Sequence, residues 1–218
     1  METINTINNT INIYRNIFIE ILCYFFGAVP FCYIIGKIHS RKDLTKIGDR
    51  NPGGWNLIFN VSKFWGIIGS LLDFSKGLVS YFLAYRFSQL ELVAILGGCA
   101  AVAGHNYSPY LKFSGGKGLA ATIGVFFAVN PFSLAVFGAV IVTSIFLLRN
   151  MIWSVMLAII FSGIFLWAWE SQGLYILLSI ILLLVVIPKH INYTLRLSQN
   201  FKIRKEESVK DLFTPKIR

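Results

Sequence analysis

Apolar runs long enough to cross or enter a bilayer follow one another from residue 17 to residue 187, and this succession restricts the fold most. They cover residues 17–38, 65–87, 90–103, 119–129, 132–148, 152–169 and 174–187. The hydrocarbon core of a membrane is filled by about 20 apolar residues in a helix, and lipid offers backbone amides no partner, so each run must be helical. Charged residues make up 14% of the chain and apolar ones 56%, against about a quarter charged in a soluble domain. These features describe an all-α polytopic membrane protein of about seven transmembrane helices. The runs 90–103 and 119–129 are short and call for tilt or shallow seating. Pro30 lies inside the first run and should bend it.

Residues 1–190 read as a single transmembrane domain and 191–218 as a basic tail. No internal repeat, heptad or separate soluble domain is visible. The polar residues 1–14 lack a basic region and a cleavage site, so no removable signal peptide is expected. Cys23, Cys32 and Cys99 all sit in apolar runs and read as small core residues rather than a disulfide framework.

The net charge of +10 is distributed by topology. With seven spans the termini lie on opposite sides. A cytoplasmic tail then places seventeen of the twenty Lys and Arg on its own side: six in loop 37–63, two in loop 104–118, Arg149, and eight from Lys189 onward. The positive-inside rule therefore sets the N-terminus outside and the C-terminus in the cytoplasm. Charges in short loops and a tail suit anionic lipid and phosphorylated ligands, and no nucleic-acid partner is expected.

Polar chemistry is concentrated in a few places. GHNYSPYLKFSGGKG (104–118) brings His105, Lys112, Lys117 and four glycines between two apolar runs. Consecutive amides at Ser114–Gly118, a lysine and a helix starting behind them suit a phosphate oxyanion. Asn51-Pro52-Gly53-Gly54 marks a tight, non-helical turn in an unusually long loop. In the second run Gly66, Gly69, Asp73, Lys76, Gly77 and Ser80 recur at helical spacing. Small residues there permit close helix approach, and Asp73 with Lys76 must face protein or water, as a structural ion pair or as part of a site. Lys46, Arg50, Lys112, Lys117, His190 and Arg196 are the cations available on the cytoplasmic face. Metal-ligand spacing, a Gly-x-Ser-x-Gly elbow and a complete P-loop are all missing.

Four blocks in order, GAVPFCYIIGK (27–37), GDRNPGGWN (48–56), LLDFSKG (71–77) and GHNYSPYLKFSGGKGLAAT (104–122), resemble the acyl-phosphate:glycerol-3-phosphate acyltransferases, the PlsY family. The likeness spans about residues 20–130, with a weaker echo near His190. It implies a seven-helix inner-membrane enzyme that moves a fatty acyl group from acyl-phosphate to the 1-hydroxyl of glycerol 3-phosphate, giving lysophosphatidic acid. Its partners would be acyl-phosphate, glycerol 3-phosphate and membrane lipid, with no metal, cofactor or acyl-CoA and a monomeric state. The matching positions are Asn51, Gly53 and Asn56 in the first motif, and Gly104, His105, Gly115, Gly116, Lys117 and Gly118 in the second. Asp73, Lys76 and Gly77 match an Asp-x-x-Lys-Gly, and His190, Arg196 and Leu197 a third motif. Substrate binding falls to Asn51, Gly53, Asn56, Lys76, Gly115, Gly116, Lys117, His190 and Arg196.

Departures from the family pattern fall on polar groups. Asp49 stands where the family has Ser, Phe59 where it has Arg, Tyr193 where it has Asn, and Lys202 where it has Glu. The chemistry asks little of side chains, because acyl-phosphate is already activated: proximity and donors to the developing charge supply most of it. The hydroxyl proton could pass to His105, to Asp49 or to a substrate phosphate oxygen, the last being preferred. A non-catalytic membrane protein binding a phosphorylated lipid or metabolite is the alternative. A transporter is disfavoured by the lack of inverted repeats or paired broken helices.

Overall fold

A computed structural model describes residues 2–191. All of its regular structure is helical: α1 Glu2–Ala28, α2 Phe31–Ser40, α3 Gly54–Asn60, α4 Lys63–Ser88, α5 Glu91–Asn106, α6 Leu119–Val129, α7 Phe132–Leu148 and α8 Met151–Glu170, then α9 Leu174–Ile191. A 3-10 turn, Pro109–Leu111, lies between α5 and α6. The basic tail and Arg196 fall outside the described residues.

Four stretches are long and apolar enough to cross a membrane: Asn8–Ser40, Lys63–Ser88, Met151–Glu170 and Leu174–Ile191. The helices α5, α6 and α7 have 16, 11 and 17 residues. At 1.5 Å per residue they span about 24, 17 and 26 Å, short of a hydrocarbon core of about 30 Å. Large apolar side chains stay exposed along α1, α4, α7, α8 and α9, among them Phe18, Ile67, Phe82, Phe146, Phe161 and Leu184. Outward apolar surface of that extent belongs against lipid, and the molecule is a multi-pass membrane protein.

The expected bend at Pro30 is a break. The helix α1 ends at Ala28, Pro30 adopts φ −87°, ψ 74°, and α2 starts afresh at Phe31. Proline gives up its amide and crowds the preceding turn, so the ladder stops there. The Asn-Pro-Gly-Gly turn also ends earlier than expected, because Gly53 serves as the N-cap and Gly54 already opens α3. By contrast, Arg149-Asn150 closes one helix and opens the next as a two-residue turn. Arg149 is left-handed at φ 49°, and the Asn150 side chain accepts from the amides of Ile152 and Trp153.

The small-residue stripe on α4 is buried: Gly66, Gly69, Asp73, Lys76, Gly77 and Ser80 all lie inside. Two helix crossings are in backbone contact. A β-carbon on Gly77 would strike the Ala121 carbonyl of α6, and one on Gly124 of α6 would strike the Phe74 carbonyl of α4. Likewise Gly27 of α1 meets Ala101 of α5, and Gly104 of α5 meets Tyr24 of α1. Reciprocal glycines of this kind let membrane helices approach closely enough for dispersion to hold them together. The main apolar core, which includes Phe126, Phe137, Ile159, Leu166, Leu178 and Leu182, extends from α4 and α5 to α9. The result places the ends of α5 and α9 beside the loops that precede α3 and α6.

Candidate phosphate-binding site

The site has an inner layer of buried charge and an outer layer of loops. In the inner layer Lys76 Nζ lies 2.7 Å from Asp73 Oδ1, with side chains 0% and 3% exposed. His105, near the C-terminus of α5, brings Nδ1 to 3.2 Å from Lys76 Nζ and to 3.5 Å from Asp73 Oδ1. Opposite charges this deep offset one another's desolvation. The 2.7 Å contact joins the two charges directly, with His105 beside them. Cys32, at the start of α2, donates its thiol to Asp73 Oδ2 at 3.1 Å. The Phe31 ring lies 5.0 Å from the Lys76 ammonium, a cation–π distance. The break at Pro30 is therefore useful locally, since restarting the helix at Phe31 delivers both side chains to the charge cluster.

The glycine pair sits directly on this layer. The Gly116 amide donates to the His105 carbonyl at 3.0 Å. A β-carbon on Gly115 would meet that same carbonyl oxygen, and one on Gly116 would meet His105 Nε2. The expectation of a run of open amides is corrected at this point, because the Gly116 N–H is committed to His105. Two glycines stand here because any side chain would lift the loop off α5. Gly118 takes φ 81° as N-cap of α6, and a β-carbon there would strike the Asn106 side chain. Left-handed backbone and crowding both select glycine at that position.

The outer layer joins three segments. Lys117 Nζ reaches Asp49 Oδ2 at 3.2 Å, with side chains 23% and 15% exposed, which ties the loop before α3 to the loop before α6. Desolvation holds the Lys117 ammonium below the usual lysine range, and Asp49 opposes that effect. His190, near the end of α9, is buried and hydrogen-bonds the Lys117 backbone. Lys189 donates to the Phe113 carbonyl at 3.1 Å and lies over the Tyr107 ring. Asn106 donates to the Val185 carbonyl of α9 at 3.2 Å. The expected convergence of the two glycine-rich loops with the segment leading into the tail is thus present as far as residue 191.

The first motif is wound around one side chain. The Asn56 amide nitrogen shares its two N–H donors among the carbonyls of Leu44, Ile47 and Asn51 at 2.9, 3.0 and 2.9 Å, and its oxygen accepts from Asn60 at 2.8 Å. With those commitments Asn56 shapes the loop. Asp49 Oδ1 accepts from the Asn51 amide at 3.2 Å, closing an Asx turn that aims Oδ2 at Lys117. Asn51 and Gly53 lie on the same loop, Gly53 buried and Asn51 half-buried. Of the expected site residues, Lys76 and His105 belong to the inner layer, whereas Asp49, Lys117 and His190 form the outer one, with Gly115 and Gly116 between. Cys32, Phe31 and Asn106 are additions for which the primary sequence carried no signal, each being an unremarkable residue until packed.

Residues 17–200 match the family model described as glycerol-3-phosphate acyltransferase. A glycerol-3-phosphate acyltransferase of Thermosipho melanesiensis is 39% identical over 142 residues, covering 65% of this chain and 70% of that protein. One from Prochlorococcus marinus is 32% identical over 179 residues, covering 80% and 90%. A crystal structure of PlsY, an integral membrane glycerol 3-phosphate acyltransferase in its glycerol 3-phosphate form, superposes with a TM-score of 0.73 at 28% identity. That match covers 85% of this chain and 92% of the other. The chain belongs to the glycerol-3-phosphate acyltransferase family.

Proposed function

We propose that this membrane enzyme transfers a fatty acyl group from acyl-phosphate to the 1-hydroxyl of glycerol 3-phosphate, releasing phosphate and lysophosphatidic acid. The observation that carries the reading is the meeting of Lys117 with Asp49 and His190 directly above the buried Asp73–Lys76–His105 cluster. It adds a loop-borne cation suited to phosphate to a chain whose relatives are named for glycerol 3-phosphate acyl transfer. A non-catalytic binding protein is not favoured on the same grounds.

In this reading the hydroxyl oxygen attacks the acyl carbon, a new C–O ester bond forms, and the C–O bond to phosphate breaks. The leaving phosphate carries the electron pair and takes the hydroxyl proton. Both candidate side-chain bases are otherwise occupied: His105 is 8% exposed with Nδ1 turned to Lys76, and the Asp49 carboxylate is held by Lys117 and the Asn51 amide. That arrangement supports the substrate phosphate as proton acceptor. Lys117 supplies positive charge where the leaving group gathers negative charge, and the loops hold the two substrates together. Gly53, Asn51 and Arg196 remain proposed contacts to substrate, and Asn56 the residue that shapes the loop bearing Asn51 and Gly53.

The topology that fits is seven spans in the inner membrane, N-terminus outside, with the glycine-rich loops and tail on the cytoplasmic face and the protein monomeric. Impermeant thiol labelling of cysteines introduced at residues 8 and 210 should reach only the first from outside intact cells. The activity is tested by expressing the chain in a strain whose only acyl-phosphate-dependent glycerol 3-phosphate acyltransferase has been removed. Growth is the expected result, and failure of a well-expressed chain to restore it would count against the reading.

A further inference from the structure

The Asp49–Lys117 pair has an implication for substrate affinity. The cation at the centre of the outer layer is already met by a carboxylate, held in place from behind by the Asn51 amide. A phosphate group that binds Lys117 must displace that carboxylate or share the cation with it. Sharing is unfavourable, since a carboxylate and a phosphate at one lysine repel each other. We propose that Asp49 is an affinity-determining residue that competes with the substrate phosphate for Lys117 and so raises the KM of the substrate whose phosphate binds there. This inference rests on the reading of Lys117 as a phosphate ligand.

Three details support it. The pair is half-sequestered, with 23% and 15% side-chain exposure, so bulk salt weakens it less than it would a surface pair. Asp49 lies in a constrained Asx turn and Gly48 beside it is left-handed at φ 55°, so the carboxylate is positioned by the backbone. A side chain at Gly48 would strike Asn56 and Asn60, which anchors that turn to α3. The competing group is thereby a fixed part of the loop. The chemistry recognised at Lys117 is a terminal phosphate dianion, which either substrate carries, and kinetics can tell them apart.

The test uses the purified full chain in detergent or vesicles, with Asp49→Asn, Lys117→Met and the double variant. D49N keeps an oxygen to accept from the Asn51 amide while removing the charge. KM is measured for glycerol 3-phosphate at saturating acyl-phosphate, and for acyl-phosphate at saturating glycerol 3-phosphate. A partly exposed pair is worth about 2- to 5-fold, and loss of the repulsion adds to it, so D49N should lower one of the two KM values about three- to tenfold. The arm that responds identifies whose phosphate sits at Lys117. K117M should raise the same KM, and adding D49N to K117M should lower it by less than D49N does in the parent, since only the repulsion is then left to relieve. Unchanged or raised KM in D49N, or an equal fall in the K117M background, overturns the proposal while leaving Lys117 as a ligand. A K117M protein with unaltered KM values for both substrates removes the underlying reading instead.

Discussion

Replacing Asp73 with Asn should be among the most damaging single changes in the chain, and restoring neutrality at Lys76 should undo most of the damage. The two charges stand 2.7 Å apart with essentially no solvent exposure. At an effective dielectric constant near 20 their attraction is about 6 kcal/mol, and desolvation costs several kcal/mol per ion. Most of the attraction is therefore consumed by burial. Breaking the pair leaves an uncompensated charge inside and should cost about 3–5 kcal/mol, whereas replacing both charges with neutral groups of similar size should be close to neutral. For a chain of this length a loss of that size lowers the unfolding midpoint on the order of 10 °C. Thermal unfolding in one detergent, comparing D73N, K76M and D73N/K76M, measures it. The double variant should melt near the parent yet turn over at least tenfold more slowly, because His105 Nδ1 loses its 3.2 Å neighbour and the glycine loop rests on His105. Small, additive midpoint changes in the single variants would refute the energetic reasoning. Normal turnover in the double variant would reduce the pair to a structural one.

Other perturbations test separate contacts. A β-carbon on Gly116 meets the His105 ring and one on Gly115 meets the His105 backbone, so a His105→Ala background should recover the stability lost in G116A but not in G115A, read by the same melting assay. Gly77→Val drives a side chain into the Ala121 carbonyl across the α4–α6 crossing and should cost about 1–3 kcal/mol or more by overpacking, measurable as a fall in folded yield and midpoint. For pH, the Lys117 proton comes off below the usual lysine range because burial disfavours the charge, with Asp49 opposing. In the proposed role the charged form binds phosphate, so the KM of the substrate at Lys117 should rise as pH climbs through that lowered value. In D49N, where the opposing carboxylate is neutral, the rise should begin at lower pH. Profiles that coincide across parent, D49N and K117R would contradict the assignment of Lys117.

What the sequence disclosed and what it hid follow from the range of the interactions. The α4 stripe was legible because residues three or four apart share a helix face, and the buried set from Gly66 to Ser80 follows that spacing. The separation of α7 from α8 was legible because two polar residues interrupt the apolar runs, while the capping by Asn150 appears only in the structure. The meeting of Cys32 with Asp73, 41 residues away, was not, and Cys32 read as plain core. Nor was the dual role of Gly115-Gly116, whose glycines are dictated by the His105 backbone and ring as much as by any ligand. Pro30 announced a disturbance, but only the packed structure distinguishes a bend from a break. Asp49 stood out as a departure from the family pattern, and its partner Lys117, 68 residues on, emerges only from the fold.

The most direct test of the central claim is product formation by the purified chain given acyl-phosphate and glycerol 3-phosphate, with K117M and an established family member run alongside. The account predicts phosphate and lysophosphatidic acid in equal amounts from the parent, and a sharp loss of both in K117M at substrate concentrations near the parent KM. No product from the parent while the family member is active, or undiminished turnover in K117M at those concentrations, would contradict it.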